Sequence, residues 1–205
     1  MSIPTNAVST ELDAVNQILS SVGQAPVTTL DMQNPEVSIV LITLREVSRQ
    51  VQSEGWLFNT EQHVRLQPNP NTKKIKYPPN AISLDSNVDI HGDKYNLVRR
   101  AGYLYDLYSH SFLFDDNVDV DVVWMLPFDE IEPIAQQYII ARTAKLCAVK
   151  MVGDTEIYQL LTENENNTRV ALVEHDAAQG DFNMFGLPEG NRAYKGYEPF
   201  TALIR

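Results

Sequence analysis

The sequence predicts an α+β fold: a helical bundle of about four helices, an inserted antiparallel β meander and an extended C-terminal tail. Three observations predict it. Helical periodicity fills the stretch from Asn34 to Gly55, strand-like alternation with frequent turn residues runs from Trp56 to Leu126, and helical spacing returns beyond Pro133. Residues 1–55 and 127–180 are therefore expected to form a helical domain, 56–126 an inserted β domain, and 181–205 a tail.

The first helix opens at Thr10, with Asp13 three residues on as a weak variant of the capping box. Leu12, Val15, Leu19 and Val22 follow at helical steps until Gly23 and Pro26 stop them. The second has both ends marked. Asn34 is a good N-cap and Pro35 suits the first helical position, where its missing N–H costs nothing. Val37, Val40, Leu41, Leu44, Val47 and Val51 make one face apolar, and Gly55 is placed as the C′ residue. Trp56, Leu57 and Phe58 come at once afterwards, so large an apolar group that it must fold back under the helix or meet a partner.

Within the β stretch, Val64 and Leu66 alternate with polar neighbours, and Lys73 to Tyr77 reads as a short strand. Prolines 68, 70, 78 and 79 mark turns and edges. His91-Gly92-Asp93 is a turn between strands Val88–Ile90 and Tyr95–Val98. Ala101-Gly102 introduces Tyr103–Tyr108, and Asp115-Asp116-Asn117 separates Phe112–Phe114 from Val118–Met125.

Pro127 and Pro133 bracket the return to helix, with Asp129 or Glu130 at its N-terminus. Ile134, Tyr138, Ile139, Ala141, Leu146 and Val149 carry this third helix to Val152, where Gly153 ends it. Asp154 caps a fourth from Thr155 to about Ala178, with Ile157, Leu160, Leu161, Thr168, Leu172 and Val173 inward and a polar TENENNT midsection exposed. Beyond Gly180, Phe182, Phe185, Tyr194, Tyr197, Phe200, Leu203 and Ile204 lie among loop residues with no period of their own. Apolar side chains on such a terminus dock on a partner or back on their own domain, which makes these the candidate partner-binding residues.

Composition narrows the function. With 43% apolar residues and a mean hydropathy of −0.25, the chain has an ordinary globular make-up. No run approaches the roughly 18 to 20 apolar residues of a membrane span, so no direct membrane insertion is expected. The start MSIPTNAVSTELD lacks the basic and apolar parts of a secretory signal, which predicts folding in a cytoplasm. A net charge of −11 opposes a grip on nucleic acid through its phosphates. It is compatible with DNA that passes by, because an acidic wall keeps a polyanion from sticking.

No constellation reads as catalytic, cofactor-binding or metal-binding. Asp115, Asn117 and Asp119 imitate the first ligand positions of a calcium loop, but Val120 replaces the turn glycine and Leu126 the closing glutamate. A solvated hairpin tip fits better, with Asp119 and Asp121 on the wet face of a strand whose other face is Val118, Val120 and Val122. His63, His91, His110 and His175 have no metal-ligand spacing, and lone Cys147 sits in an apolar helical stretch as a buried structural thiol. Phosphate loops, dinucleotide fingerprints, nucleophile elbows and zinc-protease motifs are absent. Lys73, Lys74 and Lys76, and Lys94 with Arg99-Arg100, are small basic spots, either solvated strand faces or a protein interface.

The N-terminal third resembles the tail tubular protein A family of short-tailed bacteriophages, the podoviruses. The residues that carry this are Glu11-Leu12, Ala14-Val15-Asn16, Ile18-Leu19, Val22-Gly23, Pro26-Val27 and Leu30, and above all Arg49-Gln50-Val51-Gln52-Ser53 running into Gly55-Trp56, Phe58 and Asn59. Leu126-Pro127-Phe128, Tyr138-Ile139, Ala141-Arg142 and Val152-Gly153 extend it over most of the chain. The resemblance implies a structural, non-catalytic virion protein of the tail, assembled in the host cytoplasm and using no cofactor. It implies an adaptor ring, expected to be dodecameric, that joins the portal protein to the nozzle (tail tubular protein B). Such a ring continues the channel through which viral DNA leaves, without sequence-specific binding, and helps attach tail fibres. The tail would then dock on the portal or a neighbouring subunit. Some members of the family are credited with polysaccharide cleavage, so a glycan-degrading enzyme using Asp115, Asp119 or Glu163 is the rival reading; an unrelated host binding module is a second.

Overall fold

The computed structural model describes residues 10–86 and 94–180. Among these the chain forms helices and antiparallel sheets with two cores, one helical and one in the β region.

Helix α1 spans Glu11–Ser21, and the capping box at its start is complete: the Asp13 N–H donates to Thr10 Oγ1 at 3.2 Å while the Thr10 N–H donates to Asp13 Oδ2 at 3.1 Å. Helix α2 spans Pro35–Gln52, capped by Asn34 Oδ1, which accepts from the Glu36 N–H at 3.0 Å. Its C-cap is Ser53, so Gly55 comes one residue later than the C′ position expected of it, still with a left-handed φ of +76°. The Trp56 indole folds back and donates to the Val51 carbonyl at 2.8 Å, closing the helix end with the aromatic cluster that follows it.

A 3-10 turn, Phe128–Glu130, takes up Asp129 and Glu130, so the next helix starts later than those residues suggest, with Glu132 at its N-cap. That helix, α3 (Pro133–Met151), touches α1, α2 and α4. Tyr138, Ile139 and Ile140 are buried in consecutive positions, while Ala135, Ala141, Ala144 and Ala148 let neighbours approach closely. Contacts with three other helices make it the central one. Helix α4 (Thr155–Gln179) is capped by Asp154, whose Oδ1 accepts from Glu156 N–H at 2.7 Å. It packs on α3 alone to any extent, and only Leu172 is fully buried. Leu160 and Val173, expected inward, are 68% and 47% exposed, because one packing partner covers one narrow stripe.

The strands are β1 (Thr60–Leu66), β2 (Ala81–Ser86), β3 (Leu97–Arg100), β4 (Tyr103–Asp106) and β5 (Val118–Trp124). They do not form a meander. β5 lies between β1 and β2 in a three-stranded antiparallel sheet, and β3 pairs with β4 in a separate hairpin. The last strand is thus the centre, and Val118, Val120 and Val122 are fully buried. Lys73–Tyr77 and Phe112–Phe114 are not strands: the first contributes a single bridge, Lys76 to Tyr103, and Phe114 N–H donates to the Lys73 carbonyl at 2.8 Å. β2 was not anticipated at all, β3 starts two residues later than expected, and β4 ends at Asp106. The expected strand Val88–Ile90 and the turn His91-Gly92-Asp93 lie outside the described residues.

Candidate functional site

Two ends of the helical unit differ in character, and the residues that make each end can be followed from the sequence upward. At the end next to the sheets, Gln52, Asn59 and Trp56 lock the helices to the strands. Asn59 Nδ2 donates to the Gln52 and Trp124 carbonyls, both at 2.9 Å, and its Oδ1 accepts from the Trp56 N–H at 2.9 Å. Gln52 reaches across to Leu126, donating at 3.1 Å and accepting at 2.8 Å. Gly55 is favoured here by its left-handed φ of +76°; a Cβ would meet Val123 Cγ2 at 3.4 Å, an ordinary contact. The end of α4 joins the same corner, where Asp176 Oδ1 accepts from the Leu57 N–H at 2.9 Å and His175 meets Glu132 at 2.8 Å.

The sequence marks Gln52 and Asn59 only as part of the family pattern, not for this role. The signal was present: Gln52 falls on the inward stripe of α2 one turn after Ser48, and a polar group on a core face needs a partner.

At the opposite end, Lys150 Nζ donates to Thr43 Oγ1 at 2.9 Å and so sets the first half of α2 beside the last turns of α3. The Gly153 turn brings the start of α4 to the same place. Ile42, Val149, Val152 and Leu160 are 56%, 57%, 42% and 68% exposed there, with Ile39 and Tyr158 nearby in sequence and also open. Exposed apolar side chains on these three helices make this end a candidate interaction surface. Cys147 lies just inside, fully buried, and burial pushes its thiol up against the opposing pull of Thr43 and Lys150.

Between the ends, an ionic network braces α3 and α4 against the end of α2. Arg169 takes both carboxylate oxygens of Glu54 at 3.4 and 3.2 Å and donates to the buried Tyr138 hydroxyl at 2.8 Å. Lys145 pairs with Glu165, and Arg142 lies 3.8 Å from Glu54.

The acidic candidates are dispersed. Asp115 is exposed and pairs with Lys73 at 2.6 Å, which holds its carboxyl below the usual range. Asp119 does not face water: it is 6% exposed and takes Arg65 Nε at 3.0 Å. Its cover is β1, bulged between Glu61 and Val64, where the His63 N–H donates to Asp121 Oδ1 at 3.1 Å. Glu163 sits on the open face of α4. Among the described residues no group of His, Cys, Asp and Glu side chains could hold a metal ion, and no helix is long and apolar enough to cross a membrane. Phe182, Phe185, Tyr194, Tyr197, Phe200, Leu203 and Ile204 lie outside the described residues, as does His91.

The chain is a mixed α+β fold with a hydrogen-bonded helix-to-sheet junction and exposed apolar residues at the other end, and comparison with known proteins gives its class: a structural component of the bacteriophage tail. The family model described as tail tubular protein matches residues 12–182, and the chain belongs to this family. Tail tubular protein A of Klebsiella phage KP34 is 29% identical over 168 residues, which cover 80% of this chain and 86% of that relative.

Proposed function

We propose that this chain is the subunit of an adaptor, or gatekeeper, ring that joins the portal to the nozzle of a short-tailed phage and continues the channel for DNA ejection. The observation that carries the reading is family membership across residues 12–182, supported by the polarity of the helical unit. Residues 1–55 and 127–180 would form the ring body, twelve copies closing it, each offering a different face to each neighbour. The open end carrying Ile42 and Leu160 suits the portal. Residues 56–126, fixed at the other end by Gln52 and Asn59, reach toward the nozzle protein (tail tubular protein B) and the tail fibres. The tail, through Phe182, Phe185, Tyr194, Tyr197, Phe200, Leu203 and Ile204, docks on the portal or an adjacent subunit.

A net charge of −11 suits a lumen that DNA slides past without specific binding. Assembly takes place in the host cytoplasm and the role is not enzymatic. Negative-stain micrographs of the protein mixed with its portal test this directly: portal-bound rings of twelve subunits are expected, and removal of 181–205 should abolish the attachment. A truncated chain that still joins the portal overturns the role given to the tail; a full chain that neither assembles nor joins the portal overturns the adaptor. Release of sugar from capsular glycans by the pure protein would favour the enzymatic alternative.

A further inference from the structure

We propose that the open face of the β3–β4 hairpin is a docking surface for the outward stripe of α4 in a second copy of this chain; this rests on the reading of the chain as a ring subunit. The pairing of Arg100 with Tyr103 and Val98 with Tyr105 puts these four on one face of the hairpin, and the bridge from Lys76 to Tyr103 adds Lys76 and, two residues back, Lys74. On the other face Leu97, Leu104 and Asp106 are buried, while Arg99 is exposed with its guanidinium over the Tyr77 ring.

On the open face the cations lie over rings. Arg100 Cζ is 4.1 Å from the Tyr105 centroid, and Lys74 Nζ is 5.5 Å from that of Phe112 and 5.6 Å from that of Tyr103. Tyr105 and Phe112 pack edge to face at 4.7 Å. Among the described residues Lys74, Lys76 and Arg100 form no ion pair with a carboxylate. The result is a cationic, aromatic surface on a chain of net charge −11.

Its complement is on the same chain. Glu156, Glu163, Val170 and Glu174 are all exposed, and their spacing of seven, seven and four residues puts them on one line of α4, opposite the buried Leu172. That line is ~27 Å long at about 1.5 Å per residue. Within one chain α4 packs against α3, and the hairpin neighbours β2, so the two surfaces serve different copies. A contact between unlike faces is head-to-tail, the kind that closes a ring. DNA fits the hairpin less well: the cations cover ring faces that bases would stack on, and the surrounding charge repels a polyanion.

The test is mass photometry and sedimentation of the full chain over a range of concentrations, with and without portal, and with labelled duplex DNA in a parallel arm. Lys74→Glu with Arg100→Glu should weaken self-association at least about tenfold. Glu163→Lys with Glu174→Lys, on an exposed helix face, should do the same without touching the hairpin, and all four together should restore assembly. Reversed-charge variants that assemble like the parent overturn the inference while leaving the ring standing. So does loss of DNA retention with assembly unchanged, which would assign the face to nucleic acid. A parent chain that never assembles, even with portal, overturns the ring reading itself and this contact with it.

Discussion

Gln52 and Leu126 are 74 residues apart and joined twice, the Gln52 amide donating to the Leu126 carbonyl at 3.1 Å and accepting from its N–H at 2.8 Å. A side chain thereby replaces a strand partner where the chain leaves β5 for α3. Since Gln52 is fully buried, its loss leaves an N–H and a carbonyl with neither protein nor ready water.

Gln52→Ala should therefore lower stability by about 2–4 kcal/mol, the cost of stranding two backbone groups plus a small cavity. Urea unfolding measures it, as a lower midpoint at unchanged slope. A loss under about 0.5 kcal/mol would show that the clamp is dispensable.

The hairpin turn Ala101-Gly102 has both residues left-handed, at φ +49° and +78°. Two such residues between a paired Arg100 and Tyr103 make a type I′ turn, in which asparagine is favoured at the first position. Ala101→Asn should gain about 0.5–1 kcal/mol, because asparagine enters this region at lower cost than alanine. Gly102→Ala should lose about 1–2 kcal/mol by backbone strain alone, since nothing lies within 4 Å of a Cβ there. Denaturant unfolding of both variants checks the opposite signs.

That turn was legible in the sequence, as were the helices, because their information is local. Thr10, Asn34 and Asp154 cap where the spacing of polar and apolar residues puts them. The sheet was not, because its pairing is long-range. Regular hairpin spacing suggests that neighbours in sequence pair, yet β5 joins β1 across more than fifty residues. β2 hid behind two prolines, with only its terminal residues buried. Asp119 looked like a solvated acid because Arg65, which covers it, cannot be inferred from alternation. On α4 the period was read correctly as helical, but the number of packing partners, which decides how wide a stripe is buried, is a property of the assembled bundle. The open apolar end was equally invisible: it exists only once the Lys150 to Thr43 contact sets two helices side by side.

Asp106 organises the loop after β4. It is 3% exposed and accepts from the backbone N–H groups of Asn96, Tyr108 and Ser109 and from the Ser109 hydroxyl at 2.6 Å. Burial pushes its carboxyl up, but these donors outweigh it and hold the group below its ordinary value of 3.8. A depressed carboxyl contributes stability that is present above the unfolded value and lost as pH falls through the folded one. Asp106→Asn should cost about 1–3 kcal/mol at neutral pH, and its gap from the parent should shrink as pH falls below 3.8. Thermal unfolding of both chains across acid pH measures that convergence, and a gap constant with pH would mean that shape, not charge, holds the loop.

The open end of the bundle is separable from the fold. Ile42 and Leu160 are 56% and 68% exposed, so Ile42→Lys with Leu160→Lys should leave thermal stability within about 1 kcal/mol of the parent. Val37, one turn earlier on α2 and 1% exposed, is the control: Val37→Lys buries a charge and should unfold the helices. If the end seats against the portal, the two exposed lysines place hydrated charges in an apolar contact, where single residues each carry about 1–2 kcal/mol or more. Co-sedimentation with portal should then fall about tenfold or further, at about 1.4 kcal/mol per decade, while circular dichroism stays unchanged. Undiminished capture by the portal would leave that end without the role given to it and move the contact to the tail.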